Sequence, residues 1–310
     1  MCLIAMAWGV SAQYPLVIAA NRDEFYARPT APLAQWTAHA AGPSTSQGHT
    51  IISGRDLQDG GTWMGFSPGG RFAMLTNVRD PTAVPPKQPR SRGHLVVDWL
   101  SSSNTAQDWA AQFNFATYTG FNLIVGDWSS QQIHYLSNQT TQAPKTSGAG
   151  TKLHALELGR TVGLSNAALN TPWPKTNQLI SALGDSLNAT EPGNSPCQLG
   201  TNAGSESTEN NATALTDQLA ATLQQALRDS QPAPHSLLPH TGVTLELEKI
   251  LSSVMVRSTT YGTRTSTTAV LDKQGMLHLL EATHAIPPLP AGAIDSRLVI
   301  RWPEMAGSVA

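Results

Sequence analysis

Short apolar runs, separated by turns rich in Gly, Pro, Asn and Ser, recur along the 310-residue chain. Apolar runs of this kind between turns are typical of strands. The first two, at residues 3–8 and 16–20, predict an antiparallel hairpin at the start of the chain. Further strands are predicted at residues 51–53, 62–66, 71–77, 121–127, 132–137, 162–165, 264–271 and 276–282.

A few segments have the composition or the period of a helix instead. Helices are predicted at residues 94–101, 106–113, 173–187 and 214–228. The proline-broken segment 25–43 is predicted to be a loop, and the Asn-, Ser-, Glu- and Gly-rich segment 193–213 a low-complexity insertion. Strands at both ends with helices between them favour one α+β domain over residues 1–310, with its first and last strands as neighbours.

The charge of the chain is low and balanced. Charged residues make up 13% of it, about half the usual share, and the net charge of −2 excludes a broad basic face for nucleic acid. No apolar run reaches the roughly 18 residues of a membrane helix. The two cysteines, Cys2 and Cys197, form no disulfide framework, and no basic residue precedes Arg22 as in a signal peptide, so we expect a cytoplasmic protein.

Several common sites have no motif in this sequence. Neither the phosphate-binding Gly-rich loops nor the Gly-x-Ser-x-Gly nucleophile elbow occurs. The nine histidines are scattered without the spacing of a zinc site. We therefore expect no resident metal and no cofactor.

Cys2 is the candidate nucleophile because of its position. It directly follows Met1, and a small residue there permits removal of the methionine. The mature chain would then begin with a thiol beside a free α-amine, whose pKa of about 7.7–8.0 lets it accept the thiol proton at neutral pH. The alternative is that Cys2 is a small buried hydrophobic residue at the start of a strand.

Four other polar residues follow or open predicted strands. Asn77 and Asn166 come directly after apolar strands, where an amide could donate to the oxyanion formed by attack on a carbonyl. Arg22 and Asp23 follow the second strand, beside Cys2 in the predicted hairpin, where such a pair could lower the pKa of the thiol. The alternatives are that the Asn residues satisfy their own turns and that the Arg is a solvated surface charge.

Together these residues resemble the NRDE family, named after its Asn-Arg-Asp-Glu tetrapeptide, which includes the transport and Golgi organisation protein 2-like proteins of eukaryotes. The resemblance extends from residue 1 to about residue 282, interrupted by segment 193–213. It rests on the segments Met1-Cys2-Leu3-Ile4, Ala20-Asn21-Arg22-Asp23-Glu24-Phe25, Gly61-Thr62-Trp63-Met64-Gly65, Leu75-Thr76-Asn77-Val78-Arg79, Gly163-Leu164-Ser165-Asn166 and Thr171-Pro172-Trp173-Pro174-Lys175.

The NRDE family in turn resembles the N-terminal-nucleophile hydrolases of the penicillin V acylase and bile-salt hydrolase type. This implies a four-layer αββα sandwich with Cys2 as nucleophile at the start of an inner strand and its own amine as base. Asn77 would match the oxyanion-hole Asn, and Asn166 the second Asn near the substrate. Arg264, at the start of a predicted strand, would match the arginine near the nucleophile.

One part of the pattern is out of register. The hydrolases have Arg-Asn-x-Asp at the end of the second strand, whereas this chain has Asn-Arg-Asp-Glu. Asp23 and Glu24 are therefore both candidates for the Asp role, and it stays open whether Arg22 reaches the thiol.

Two functions of different classes are expected from this resemblance. The first is hydrolysis of a non-peptide amide bond in a small acylated molecule, with Asn21, Glu24, Trp63 and Trp173 contacting the substrate, although a buried tryptophan is as readily a core residue. The second is binding or trafficking of haem or an acyl lipid on the same fold, without catalysis. A third interpretation is a stress or assembly protein that kept only the fold.

Overall fold

The computed structural model describes residues 2–38, 48–139, 153–190, 205–284 and 294–303. In these residues thirteen strands form two antiparallel sheets. The strands are β1 (Cys2–Trp8), β2 (Leu16–Phe25), β3 (Thr30–Ala38), β4 (His49–Asp56), β5 (Met64–Phe66), β6 (Arg71–Asn77), β7 (Phe121–Asp127), β8 (Gln132–Ser137), β9 (His154–Ala155), β10 (Arg160–Leu164), β11 (Tyr261–Leu271), β12 (Met276–Thr283) and β13 (Ile294–Arg301).

The first sheet has the order β10-β1-β2-β11-β12-β13, and the second has the order β3-β4-β5-β6-β7-β8-β9. Five α-helices accompany them: α1 (Gly93–Ser101), α2 (Ala106–Ala110), α3 (Pro174–Thr190), α4 (Ser205–Leu227) and α5 (Leu245–Ile250). In the first sheet β2 lies between β1 and β11, so the predicted opening and closing hairpins are adjacent.

Alternate side chains along β1 pack into two different cores, because successive residues of a strand face opposite sides of the sheet. Ile4, Met6 and Trp8 pack between the two sheets with the inner face of the second sheet. Leu3, Ala5 and Ala7 pack against α3 and α4. A third core lies between the second sheet and the helices α1 and α2. The result is a four-layer αββα sandwich, which confirms the predicted fold class.

The structure differs from the sequence prediction at several places, and besides those described next, strand β9 and helix α5 were not predicted. Segment 25–43 contains strand β3, whose edge position and register shift between Ala31 and Ala34 accommodate Pro32, as edge strands do. Helix α4 begins at Ser205, within the predicted insertion, while residues 193–204 lie outside the described residues, as does Cys197. Strand β13 was not predicted; it pairs with β12, so the last strand is at the sheet edge and not beside β1.

Candidate active site

Cys2 lies at the first residue of β1 on the face that looks toward the second sheet. The alternation that buries Ile4 and Met6 between the sheets gives Cys2 the same orientation, and it belongs to the same core cluster. Only 7% of the residue is exposed. Cys2 lines a cavity of about 820 Å³. The thiol is therefore placed at the inner wall of a chamber large enough for a small molecule.

The tetrapeptide at residues 21–24 is divided between two faces of β2. The pairing of Cys2 with Arg22 and of Leu3 with Asn21 fixes the register. Arg22 shares the face of Cys2 and lines the cavity, as does Glu24 two residues on. Asn21 shares the face of Leu3 and points into the helix layer.

Asn21 is fully buried in that helix layer and does not line the cavity. Its amide nitrogen donates to the carbonyl oxygens of Leu227 and Val254, both at 2.9 Å. Its amide oxygen accepts a hydrogen bond of 2.6 Å from the hydroxyl of Ser266. These bonds join β2 to β11, to the end of α4 and to the chain before β11, so the structure does not bring Asn21 to a substrate.

The guanidinium of Arg22 is held on the cavity wall by oxygen acceptors. It donates to the hydroxyl of Thr30 at 3.1 Å and to the carboxylate of Asp56 at 3.4 Å. The Glu24 carboxylate lies 3.9 Å from it, and its other oxygen accepts the backbone N–H of Phe25. Arg22 and Glu24 thus form an ion pair within the cavity wall, beside Cys2 in the sheet.

Burial raises the pKa of the Cys2 thiol, while the terminal amine and the Arg22 guanidinium oppose that rise and the Asp23 carboxylate adds to it. The Arg22 guanidinium thus acts in the predicted direction, but the Asp23 carboxylate opposes it, and desolvation outweighs the positive charges so that the pKa of the thiol rises. A thiol in this state holds its proton at neutral pH and needs a base before it can attack.

Asp23 is 1% exposed and lies in a second buried group of charges. Its carboxylate accepts a hydrogen bond of 2.7 Å from Thr263, and its backbone carbonyl accepts one of 3.0 Å from the Tyr261 hydroxyl. Burial raises the pKa of Asp23, and the Lys175 ammonium and the terminal amine lower it. Asp23 is thus electrostatically coupled to Lys175 within this buried group.

Lys175 was not singled out from the sequence, although it ends the Thr171-Pro172-Trp173-Pro174-Lys175 segment. It lies in the first turn of α3 and is 1% exposed. Its ammonium nitrogen has no hydrogen-bond acceptor among the described residues. Burial lowers the pKa of Lys175 to about 8, and the Asp23 carboxylate is the largest opposing influence. A buried lysine is rare unless it is paired, and a sequence pattern does not reveal it.

Arg79 and Glu248 form a further buried ion pair that the sequence did not reveal. Their side chains are 6% and 4% exposed, and the guanidinium donates to the carboxylate at 2.9 Å. The same guanidinium lies 4.8 Å from the centre of the Trp173 ring. Trp173 therefore packs on Arg79 and does not line the cavity, whereas Trp63 does.

Asn77 and Asn166 lie together. Asn166 is buried and donates from its amide nitrogen to the carbonyl and side-chain oxygens of Asn77, at 3.0 and 3.1 Å. The hydroxyl of Ser165 donates to the carbonyl of Cys2 at 3.1 Å and to the Asn166 side chain at 3.2 Å. Asn77 lines the cavity, while Asn166 lies behind it. The amide oxygen of Asn77 is therefore occupied, and its amide nitrogen is the group available to a ligand.

Arg264 lies at a register shift of β11, between Thr263 and Thr265. Its guanidinium donates to the backbone carbonyls of Phe25, Tyr26 and Arg28 at 2.8–3.1 Å. It does not line the cavity. The structure therefore places Arg264 under the turn after β2, where it fixes the chain that leads from the tetrapeptide.

Two facing antiparallel sheets between helix layers, with Cys2 at the first residue of an inner strand on a cavity wall, define a four-layer αββα protein with a cysteine at its candidate site. The chain belongs to the Transport and Golgi organisation 2 family, whose model matches residues 1–285. This confirms the resemblance noted in the sequence. Among the helices of the described residues, none is long and apolar enough to span a membrane.

Three comparisons with relatives support this assignment. A Transport and Golgi organization protein 2 homolog from Bos taurus is 32% identical over 282 residues, covering 86% of each chain. The homolog from Homo sapiens is 31% identical over 280 residues, with the same coverage. Transport and Golgi organization protein 2 from Drosophila melanogaster is 22% identical over 308 residues, covering 91% of this chain and 92% of its own.

Solved structures with a similar chain course include two hydrolases. A mutant conjugated bile acid hydrolase from Clostridium perfringens aligns with a TM-score of 0.42 and 8% identity, covering 97% of this chain and 92% of its own. The Caenorhabditis elegans ortholog of N-acylethanolamine-hydrolyzing acid amidase aligns with a TM-score of 0.40 and 12% identity, covering 87% of this chain and 92% of its own.

Proposed function

We propose that the protein is a cysteine hydrolase that cleaves a non-peptide amide bond of a small acylated molecule after removal of Met1. The observation that supports this most directly is the position of Cys2, at the start of an inner strand and on the wall of a cavity of about 820 Å³. At the boundary between the sheet core and that cavity, Cys2 can contact a bound ligand as well as the core.

In the proposed first step the α-amine of mature Cys2 takes the thiol proton, and the sulfur attacks the carbonyl carbon of the amide. The tetrahedral intermediate then collapses, the C–N bond breaks, and the ammonium gives its proton to the leaving amine. In the second step the α-amine deprotonates a water molecule, which attacks the thioester and releases a carboxylic acid. The thiol is regenerated, so no other reactant is needed.

The amide nitrogen of Asn77 is the proposed donor to the oxyanion of that intermediate. The Asn166 amide donates to the backbone carbonyl and to the side-chain oxygen of Asn77, and the second bond orients the side chain before substrate arrives, so little reorganisation is needed during the reaction. Asp23 is the proposed partner of the α-amine, since Glu24 is already engaged with Arg22. Lys175 and Asp23 hold opposite charges in one buried group, which limits how strongly Asp23 favours the protonated amine.

The test begins with the intact mass, which must lack Met1, and with turnover of a panel of acyl amides. We expect Cys2→Ala to abolish turnover, and Asn77→Ala to lower kcat by about 10²–10³, as loss of an oxyanion donor does elsewhere. Asn177→Ala, on the exposed side of α3, is the matched control and should leave kcat unchanged. Turnover that persists in Cys2→Ala contradicts the proposal.

The alternative of haem or acyl-lipid binding has a separate readout. Haemin and an acyl-CoA are titrated into the Cys2→Ala variant and followed by absorbance and calorimetry. Saturable binding with no amide turnover by the native chain would favour carriage. Turnover that is lost with Cys2, without saturable haemin binding, favours hydrolysis.

A further inference from the structure

The arginines that line the cavity differ in what neutralises their charge. Arg28 donates to Asp56 at 2.7 Å and to Asp59 at 2.6 Å, and Arg22 shares Asp56. Arg55 lies over the Trp36 ring at 4.5 Å. The wall also contains two more arginines in the segment just before and at the start of α1, Arg90 and Arg92.

Neither Arg90 nor Arg92 has a carboxylate within ion-pair distance in the part of the chain that the structure describes. Arg92 donates from one nitrogen to the carbonyl of Gly120 at 3.0 Å. Arg90 lies 5.4 Å from the centre of the Tyr118 ring. Glu24, the carboxylate that acts on Arg92, is already paired with Arg22, and Asp98 acts on Arg90 at longer range than an ion pair.

Burying the Arg92 guanidinium without a paired carboxylate costs free energy. Burial lowers its pKa, and the groups that oppose this effect are Cys2, when it is ionised, and Glu24, at longer range than an ion pair. A guanidinium has five N–H donors in a planar fork that matches a carboxylate or phosphate, and the bond to Gly120 uses one of them. A partly desolvated guanidinium without a counter-ion gains most when an anion reaches it.

Arg92 is connected to the proposed oxyanion site through the backbone carbonyl of Gly120. The Gly120 carbonyl that accepts from Arg92 also accepts the backbone N–H of Val78 at 3.0 Å. Val78 directly follows Asn77, so one carbonyl bridges the arginine and the strand end that presents the amide donor. Trp63 and Leu75 add apolar surface to the same cavity.

We propose that Arg92, assisted by Arg90, forms a subsite for an anionic group, so that the substrate is an acyl amide with a carboxylate or phosphate a few bonds from its scissile nitrogen. The apolar acyl part would lie on Trp63 and Leu75. This inference rests on the proposed hydrolase function where it calls the ligand a substrate, but the anion subsite itself can be measured by binding alone.

The experiment uses the full chain with Cys2→Ala, so that no ligand is consumed. Calorimetric titration compares three ligands with one acyl chain: N-lauroylglycine, N-lauroyl-O-phosphoethanolamine and the neutral N-lauroylethanolamine. We expect at least one of the two anionic ligands to bind about tenfold or more tightly than the neutral one, the effect of a charge-assisted bond. Which of the two binds more tightly distinguishes a carboxylate from a phosphate.

Adding Arg92→Gln should reduce that preference to less than about threefold while binding of the neutral ligand is kept. Arg92→Lys, which retains the charge but not the fork, should keep part of it, and thermal unfolding of both variants verifies that they fold. Arg55→Gln removes the same charge from another part of the wall and is the matched control; it should keep the preference.

Equal affinity for the neutral and anionic ligands would overturn the proposal, as would an equal loss of both in Arg92→Gln. No saturation by any of the three ligands up to roughly 1 mM would overturn it as well. Because these measurements involve no turnover, an anion preference without amidase activity would reject the hydrolase and keep the subsite.

Discussion

Asn21, the first residue of the tetrapeptide, is expected to be a structural residue whose loss destabilises the fold. The substitution Asn21→Ala removes three buried hydrogen bonds, to the carbonyls of Leu227 and Val254 and from the hydroxyl of Ser266. Ser266 keeps a second partner in His284 at 2.8 Å, so it is not left unsatisfied. The two carbonyls lose a buried donor and gain none.

The size of the effect follows from those contacts. Each buried carbonyl left unsatisfied costs about 1–3 kcal/mol, and the third bond contributes about 1 kcal/mol, giving a loss of roughly 3–7 kcal/mol in the free energy of unfolding. A typical protein has about 5–15 kcal/mol in total. The midpoint of thermal unfolding should therefore fall by about 10 °C.

The assay is urea unfolding of the native chain and of Asn21→Ala, followed by fluorescence and circular dichroism. The control is Asn177→Ala, an exposed asparagine whose loss should change stability by less than about 0.5 kcal/mol. A loss below about 1 kcal/mol in Asn21→Ala would refute the reasoning, because it would mean that water replaces the amide at both carbonyls.

Two further predictions concern buried groups. Lys175 loses its proton near pH 8 in the folded protein but keeps it to about pH 10.4 in the unfolded chain. The free energy of unfolding of the native chain, relative to that of Lys175→Met, should therefore rise between these pH values by on the order of 3 kcal/mol. A difference between the two proteins that does not change with pH would contradict this. Gly126→Ala would place a methyl group 2.1 Å from the Phe72 ring and should cost about 1–3 kcal/mol in denaturant unfolding. Gly184→Ala, in open space within α3, should instead add about 0.5–1 kcal/mol, and the opposite order would contradict the packing.

Local patterns were sufficient for most of the sandwich. The hairpin of β1 and β2 and that of β7 and β8 lie where apolar runs flank a turn, and the observed bounds of β7 and β8 are those predicted. Strand β3 was missed because Pro32 and few apolar residues conceal an edge strand, which has a partner on one side only. Strand β13 was missed for the related reason that an edge strand buries little.

The candidate site was predictable where it depends on register and not where it depends on long-range packing. The pairing of Cys2 with Arg22 follows from the hairpin, and the alternation along β2 then separates Arg22 from Asn21. Lys175 and Glu248 come from helices far away in the chain, and no local pattern distinguishes a buried charge from a surface one.

The alternation of side chains along β2 also determines what each residue of the tetrapeptide contacts. Asn21 and Asp23 lie on the same side of β2, bonded to the helix layer and to Thr263, although Asp23 also lines part of the cavity, whereas Arg22 and Glu24 lie on the other side, in the cavity wall. A one-residue slip of β2 would exchange the two pairs and bury Arg22 under α4 without its acidic partners. The order of the four residues is therefore fixed by the pleat of a single strand.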